Sequence, residues 1–245
     1  MFHVEHSLRF RSICLNNGVT LKDVQLELLG KYVSLLTEWN AKVNLVSRAD
    51  VQNIWLSHIL HSITPLFFLD IPVGCSLVDL GTGGGLPGVP LAILRPDIRV
   101  THVDSVQKKT KALADIVRRL GLENSIVLTG RAEELSRNPK YSGQYDGVVA
   151  RAVAPLVDLV KWSKPFLKKG VAPGGGSAGC GSALRACNIP FLLALKGGDL
   201  ETEIRHTAVK QGGAGKATII DIRFSGSEDL GLTEKKIVLV EFALS

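Results

Sequence analysis

The stretch Leu77-Val78-Asp79-Leu80-Gly81-Thr82-Gly83-Gly84-Gly85-Leu86-Pro87-Gly88 decides the fold of this chain. An apolar run ends in a carboxylate, and glycines follow where a loop must turn tightly and admit a ligand close to its backbone. Pro87 and Gly88 then open a helical run to Leu94. Strand, acid, glycine loop and helix, in that order, are how α/β proteins hold nucleotide-like cofactors.

Downstream, short apolar strands alternate with helices. The pattern predicts strands at Ser76–Leu80, Arg99–Asp104, Ser125–Thr129, Tyr145–Ala150, Phe191–Lys196, Ala217–Arg223 and Lys236–Phe242. Helices are expected at Gly88–Leu94, Lys108–Leu120, Leu156–Leu167 and Leu200–Val209. Such alternation makes an α/β, Rossmann-like fold with a seven-stranded, mostly parallel sheet. The last two strands have no helix between them, so the last strand is expected to run antiparallel. Upstream, Thr20-Leu21-Lys22-Asp23 reads as a capping box, and apolar residues from Leu21 to Trp39 recur at helical spacing. Asp50 can cap a second helix with Ile54, Trp55, His58 and Ile59 on one face and Pro65 near its end. The division expected is a helical extension over 1–70, without strands, packed on a core domain over 71–245. Residues 170–188 keep no period and read as a glycine-rich insertion on a loop.

Gly83-x-Gly85-x-x-Gly88 satisfies the dinucleotide fingerprint, with Asp104 at a suitable distance. Two residues argue against a dinucleotide. Asp79 would repel a pyrophosphate, and Pro87 stiffens the loop where a diphosphate needs it open. S-adenosylmethionine carries an ammonium, a sulfonium, a ribose and an adenine, and no phosphate. Asp79 can organise the loop and the amino-acid end of such a cofactor, Asp104 can accept from both ribose hydroxyls, and Ala132 and Glu133 can lie along the adenine edge. Arg151 closes the fourth strand, where the methyl group would be presented. Each also has a plainer reading: Asp104 as a helix cap, Glu133 and Arg151 as surface charges, Asp146 as a structural group.

Net charge is +6 over 245 residues, with pI ≈ 9.2, which favours a polyanionic partner without requiring one. Basic residues gather at Lys108–Arg119 and at Arg151–Lys169; both groups also suit solubilising helix faces. No apolar run approaches the ~18 residues of a membrane helix, and the N-terminus does not read as a secretory leader. A cytoplasmic protein without membrane attachment is expected. Cys14, Cys75, Cys180 and Cys187 show no metal spacing and read as reduced thiols; no metal is expected.

Several segments together resemble one family, the bacterial small-subunit ribosomal RNA guanine-N7 methyltransferases (RsmG or GidB proteins). They are Trp39-Asn40-Ala41-Lys42-Val43-Asn44-Leu45, His58-Ile59-Leu60-His61-Ser62, the glycine loop through Ile93, Val103-Asp104-Ser105, Gly130-Arg131-Ala132-Glu133-Glu134, Arg151-Ala152-Val153-Ala154 and Ala194-Leu195-Lys196-Gly197. The resemblance implies that Gly81, Leu86, Ala132, Glu133 and Arg151 contact S-adenosylmethionine; Thr82, Gly83 and Ser105 adjoin them in the expected set. It implies methyl transfer to guanine N7 of 16S ribosomal RNA, free or in the small subunit. N7 is an exposed lone pair, so no general base is expected, only alignment. Lys42, Arg48, Lys164, Lys168 and Lys169 are the candidates for RNA phosphates. A monomer is expected. His61 stands where the family has an acid. That departure and the glycine-rich insertion keep a non-catalytic RNA-binding assembly factor in view. A small-molecule methyltransferase and, more distantly, an NAD-dependent oxidoreductase also fit parts of the pattern.

Overall fold

The computed structural model describes residues 2–47, 53–169, 184–198, 200–211, 215–228, 230–232 and 234–243. In chain order, α1 (Phe2–Asn16) and α2 (Asp23–Asn40) precede a wide π-helical turn, Trp55–Leu60, continued by α3 (His61–Ile63) and α4 (Pro65–Phe68). Then come β1 (Leu69–Asp70), β2 (Ser76–Leu80), α5 (Gly88–Leu94), β3 (Arg99–Asp104), α6 (Gln107–Leu120), β4 (Ser125–Thr129) and α7 (Ala132–Leu135). The chain continues through β5 (Gly147–Arg151), α8 (Leu156–Ser163), β6 (Arg185–Ala186), β7 (Phe191–Gly197), α9 (Leu200–Gln211), β8 (Lys216–Asp221) and β9 (Lys235–Glu241).

All seven expected strands form one sheet in the order β4-β3-β2-β5-β7-β9-β8. Pairings from β4 across to β7 are parallel, and β9 runs antiparallel to both β7 and β8. The last strand therefore slots between its hairpin partner and the parallel set.

Strand parity divides the core. Leu77, Val149, Leu193 and Leu195 face a core shared with the N-terminal helices, α5 and α6. Val78, Leu80, Val148, Ala150, Leu192 and Ala194 face a second core beneath α8 and α9. Successive strand residues point to opposite faces, so Asp79 shares the face of Leu77 and lies under α5. Phe10, Tyr32, Leu36, Trp55 and Ile59 are buried in the first core, and each such side chain contributes roughly 1.5–3 kcal/mol relative to exposure. The helical extension is thus one wall of the core. Phe10 and Trp55 meet with ring centroids 5.3 Å apart.

Several sequence expectations change here. The cap of α2 is Lys22, not Thr20: the Lys22 N–H donates to Gln25 Oε1 at 3.0 Å. The spacing did not show α1, whose buried stripe over Phe10, Ile13 and Cys14 is narrow. Asp50 lies outside the described residues. The turn at Trp55–Leu60 buries Trp55, Leu56, Ile59 and Leu60, leaving His58 half-buried, because its wider winding shifts the apolar stripe. Pro65 begins α4 rather than ending the preceding helix, consistent with its missing N–H. The extension is not free of strand: β1 pairs in parallel with β6, Leu69 with Arg185 and Asp70 with Ala186. The end of the glycine-rich insertion is therefore tied to the extension, while residues 170–183 lie outside the described set. No helix among the described residues is long and apolar enough to cross a membrane. Cys14, Cys75 and Cys187 are buried free thiols, and burial pushes the pKa of each up to about 12. Cys180 lies outside the described residues.

Candidate active site

The glycine loop is built on a buried carboxylate. Asp79 is fully buried. Its Oδ2 accepts from Thr82 Oγ1 at 2.5 Å and from the Gly88 N–H at 3.0 Å. His102 Nδ1 stands 3.3 Å from the same oxygen. One carboxylate thus ties the end of β2, the loop and the first turn of α5. No other residue fits at 88: an added Cβ would lie 2.5 Å from Asp79 Oδ2 and 2.6 Å from the His102 ring. Gly81 has φ 65°, and its Cβ would lie 2.5 Å from Val153, so the backbone there must stay bare.

The helical extension clamps the loop from outside. Tyr32 Oη donates to the Gly84 carbonyl at 2.8 Å. The chain reverses after α2 because Asn40 Oδ1 accepts from the N–H groups of Leu45 and Val46, at 2.8 and 3.0 Å. Leu45 then packs over Gly84, whose Cβ would lie 3.2 Å from it. Trp39 Nε1 donates to Asp115 Oδ2 on α6 at 3.0 Å. The Trp39–Leu45 segment is a structural brace for the loop.

A cavity of about 510 Å³ opens beyond the carboxyl ends of β2, β3, β4 and β5. Gly81, Asp104, Ser105, Ala132, Glu133 and Arg151 of the expected cofactor set line it. Asp79, Thr82, Gly83 and Leu86 do not. Thr82 and Leu86 are buried beneath the loop. The Gly83 N–H donates to Asp104 Oδ2 at 3.0 Å. Asp104 Oδ1 accepts from the Val106 N–H at 2.8 Å, just before α6. Both the binding and the capping readings of Asp104 therefore have a physical basis, since a carboxylate offers about four acceptor positions. Asp146 is structural: it accepts from the Ser76 N–H and pairs with Lys168.

Arg151 reaches into the helical part. Its Nη2 donates to His58 Nδ1 at 2.7 Å. A guanidinium has no acceptor, so His58 must present a lone pair at Nδ1. Nearby His61 is only 6% exposed, and its Nε2 has no partner among the described residues. Burial, reinforced by the Arg151 and Lys235 charges, pushes its pKa down to about 3. After Arg151 the backbone turns at Ala152, φ 52°, a left-handed conformation costing about 1–2 kcal/mol without a glycine.

The expected RNA contacts are not brought together. Lys42 lies over the Trp39 ring at 5.1 Å, beside the loop brace. Lys164, Lys168 and Lys169 sit at the opposite edge of the sheet: the Lys168 N–H donates to the Tyr145 carbonyl, ahead of β5, while the cavity opens after Arg151 at its far end. Lys168 Nζ is also held by Asp146 Oδ1 at 2.7 Å. These three lysines are therefore separated from the cavity by the length of β5. Arg48 lies outside the described residues. Sequence reasoning missed Lys109, Val153 and Trp162 on the cavity wall. Lys109 and Val153 fall inside quoted motifs or beside them, but Trp162 comes from α8 and only the packing of that helix reveals it.

The strand order, the antiparallel β9 and a cavity at the carboxyl edge define a class: the Rossmann-like, S-adenosylmethionine-dependent methyltransferases. The solved fibrillarin of Methanococcus jannaschii, a pre-rRNA processing protein, shares the fold with a TM-score of 0.50 at 14% identity, covering 74% of each chain. A Thermotoga maritima S-adenosylmethionine-dependent O-methyltransferase does so with a TM-score of 0.50 at 12% identity, covering 76% of this chain and 65% of its own.

Sequence comparison narrows the class. The GidB family model, described as rRNA small subunit methyltransferase G, matches residues 25–172. Ribosomal RNA small subunit methyltransferase G of Chlorobaculum tepidum is 36% identical, covering 94% of this chain and 95% of its own. That of Salinibacter ruber is 41% identical, covering 74% of this chain and 76% of its own. The chain belongs to the GidB family.

Proposed function

We propose that this protein methylates 16S ribosomal RNA with S-adenosylmethionine, at N7 of a guanine, by in-line attack without a general base. Family membership supports the RNA methyltransferase activity. The observation that carries the cofactor reading is the cavity over β2–β5: a bare Gly81 backbone at the end of β2 with the Asp104 and Glu133 carboxylates beside it.

S-adenosylmethionine, when bound, supplies an electrophilic methyl carbon on sulfur. The protein's part is alignment. Asp104 accepts hydrogen bonds from vicinal hydroxyls while its ties to Gly83 and Val106 fix its orientation. Gly81 leaves room against Val153, and Ala132, Glu133 and Trp162 contribute to the wall. Arg151 is held by His58, so its charge is fixed in place before any ligand arrives. No imidazole or thiol lines the cavity among the described residues, and an N7 lone pair needs neither.

The test is incubation with tritiated S-adenosylmethionine and 16S RNA or small subunits, followed by mapping of N7-methylguanine through borohydride–aniline strand cleavage. Label at a cleavable guanine is the expected result. Tight cofactor binding with no label in any RNA would overturn the reading, and label at an uncleavable position would overturn the N7 assignment alone.

A further inference from the structure

A second cavity, of about 440 Å³, adjoins the first. Arg151 and Ala152 belong to the walls of both. Ser57, His58 and His61 line the second from the helical part, and Lys235 lines it from the start of β9. Lys235 is in register with Gly197, at the carboxyl end of β7, so this cavity also opens at the carboxyl edge. Its volume falls within the roughly 300–1,000 Å³ of small-molecule sites.

We infer that this second cavity seats the everted acceptor nucleotide, with Lys235 pairing its phosphate and the base reaching past Ala152 toward the methyl donor. The inference rests on the RNA methyltransferase reading above. Four observations carry it.

The first is contiguity: two cavities that share Arg151 and Ala152 in their walls are what a transfer between two ligands needs. The second is that turn's left-handed, non-glycine conformation. Strained backbone of this kind persists where the surroundings over-determine it, and it gathers at ligand clamps. The third is the buried His61 imidazole at the cavity wall, whose Nε2 has no hydrogen-bond partner among the described residues. The fourth is charge. Methyl transfer to N7 leaves the purine cationic. His58 offers a lone pair to Arg151 and His61 stays neutral, so the imidazoles add no positive charge, while Lys235 supplies one where a phosphate needs it. A regular A-form groove would not admit side chains to N7, so the nucleotide must leave its stack. A dedicated seat offsets that cost.

The test uses the full chain with Ser57→Trp, which fills the cavity, and Lys235→Arg, Lys235→Gln and Lys235→Glu. Cofactor affinity is read by calorimetry and methyl transfer to small subunits by tritium incorporation. Cofactor Kd should stay within about twofold of wild type throughout. Transfer efficiency should fall about tenfold or more in Ser57→Trp, and in graded order through arginine, glutamine and glutamate at 235, chiefly in KM for RNA. Wild-type efficiency in both Ser57→Trp and Lys235→Glu would overturn the inference while leaving the function intact. A wild-type protein that labels no RNA would overturn the function and the inference with it. Should Ser57→Trp lose cofactor binding by misfolding, the Lys235 series decides alone, because a merely structural lysine would lower the melting temperature without ranking KM by charge.

Discussion

The Asp79 carboxylate and the Gly88 backbone N–H meet at 3.0 Å across nine residues. The glycine loop between them is therefore closed from beneath rather than from the ligand side. Asp79→Asn keeps the shape and can keep an oxygen at the Oδ2 position, so what it removes is the charge behind the bonds from Thr82 and Gly88. The expected result is a cofactor Kd weakened at least about tenfold together with a lower melting temperature, since a charge-assisted hydrogen bond is worth about 1.5–3 kcal/mol. Gly88→Ala should destabilise by about 1–3 kcal/mol through overpacking. Calorimetric titration and thermal melts check both. An Asp79→Asn protein with native affinity and native melting would refute the closure.

His58 should matter to catalysis without touching the methyl donor. His58→Phe removes the side-chain acceptor of Arg151 while preserving the ring's bulk and the main-chain carbonyl contact at 3.5 Å. Loss of a hydrogen bond to a charged group predicts a fall of about ten- to a hundredfold in transfer efficiency. His58→Asn, which retains a side-chain acceptor, should lose less. Equal efficiency in the phenylalanine variant and wild type would show that Arg151 is positioned by other contacts.

His61 makes stability pH-dependent. Its folded pKa of about 3 lies below the ordinary histidine value of 6.5, so between those values the unfolded chain binds the proton and the folded chain resists it. Stability is therefore fully present above pH 6.5 and falls as the pH drops toward 3. The magnitude is on the order of a few kcal/mol. His61→Asn should flatten that part of the stability–pH curve measured by urea unfolding. A curve with the same slope in the variant would assign the acid sensitivity elsewhere.

The lysines at the far edge should be dispensable for transfer. A Lys164→Glu, Lys169→Glu double variant is expected to keep methyl transfer within about threefold, under about 0.7 kcal/mol. Lys168 is left intact because its pairing with Asp146 supports the start of β5. A large loss, with a shallower dependence on salt, would place RNA phosphates on that edge after all.

Trp162 lines the first cavity, so cofactor binding should change its emission. Titration with S-adenosylmethionine is expected to alter tryptophan fluorescence in wild type and to lose most of that signal in Trp162→Phe. An undiminished signal in the variant would point to Trp39 or Trp55 as the reporter.

The Asp79–Gly88 stretch displayed strand, loop and helix in sequence because those elements are local: apolar runs, glycines and a proline constrain backbone within a few residues. The parallel sheet followed from repetition of that unit. Asp104, Glu133 and Arg151 were legible as a group because each ends or follows a strand, and strand ends in such sheets converge on one edge. Trp162 was not legible, since it reaches the cavity from the last turn of a helix rather than from a strand end. The position of the lysines of 164–169 relative to the cavity was not legible, because clustering in sequence does not say at which end of a strand the chain returns.

By itself, then, the sequence determined the α/β class, the seven strands and the carboxylates at their ends. Only the tertiary structure decided what those residues face. Strand parity buried Asp79 under α5 and made it a brace for the loop. Packing of the helical extension brought His58 against Arg151 from 93 residues away. It also placed His61 in a second cavity beside the first. Local patterns fix backbone conformation through short-range sterics and hydrogen bonds. The direction of a side chain, and the company it keeps, depend on long-range burial of apolar faces, which no window of sequence contains.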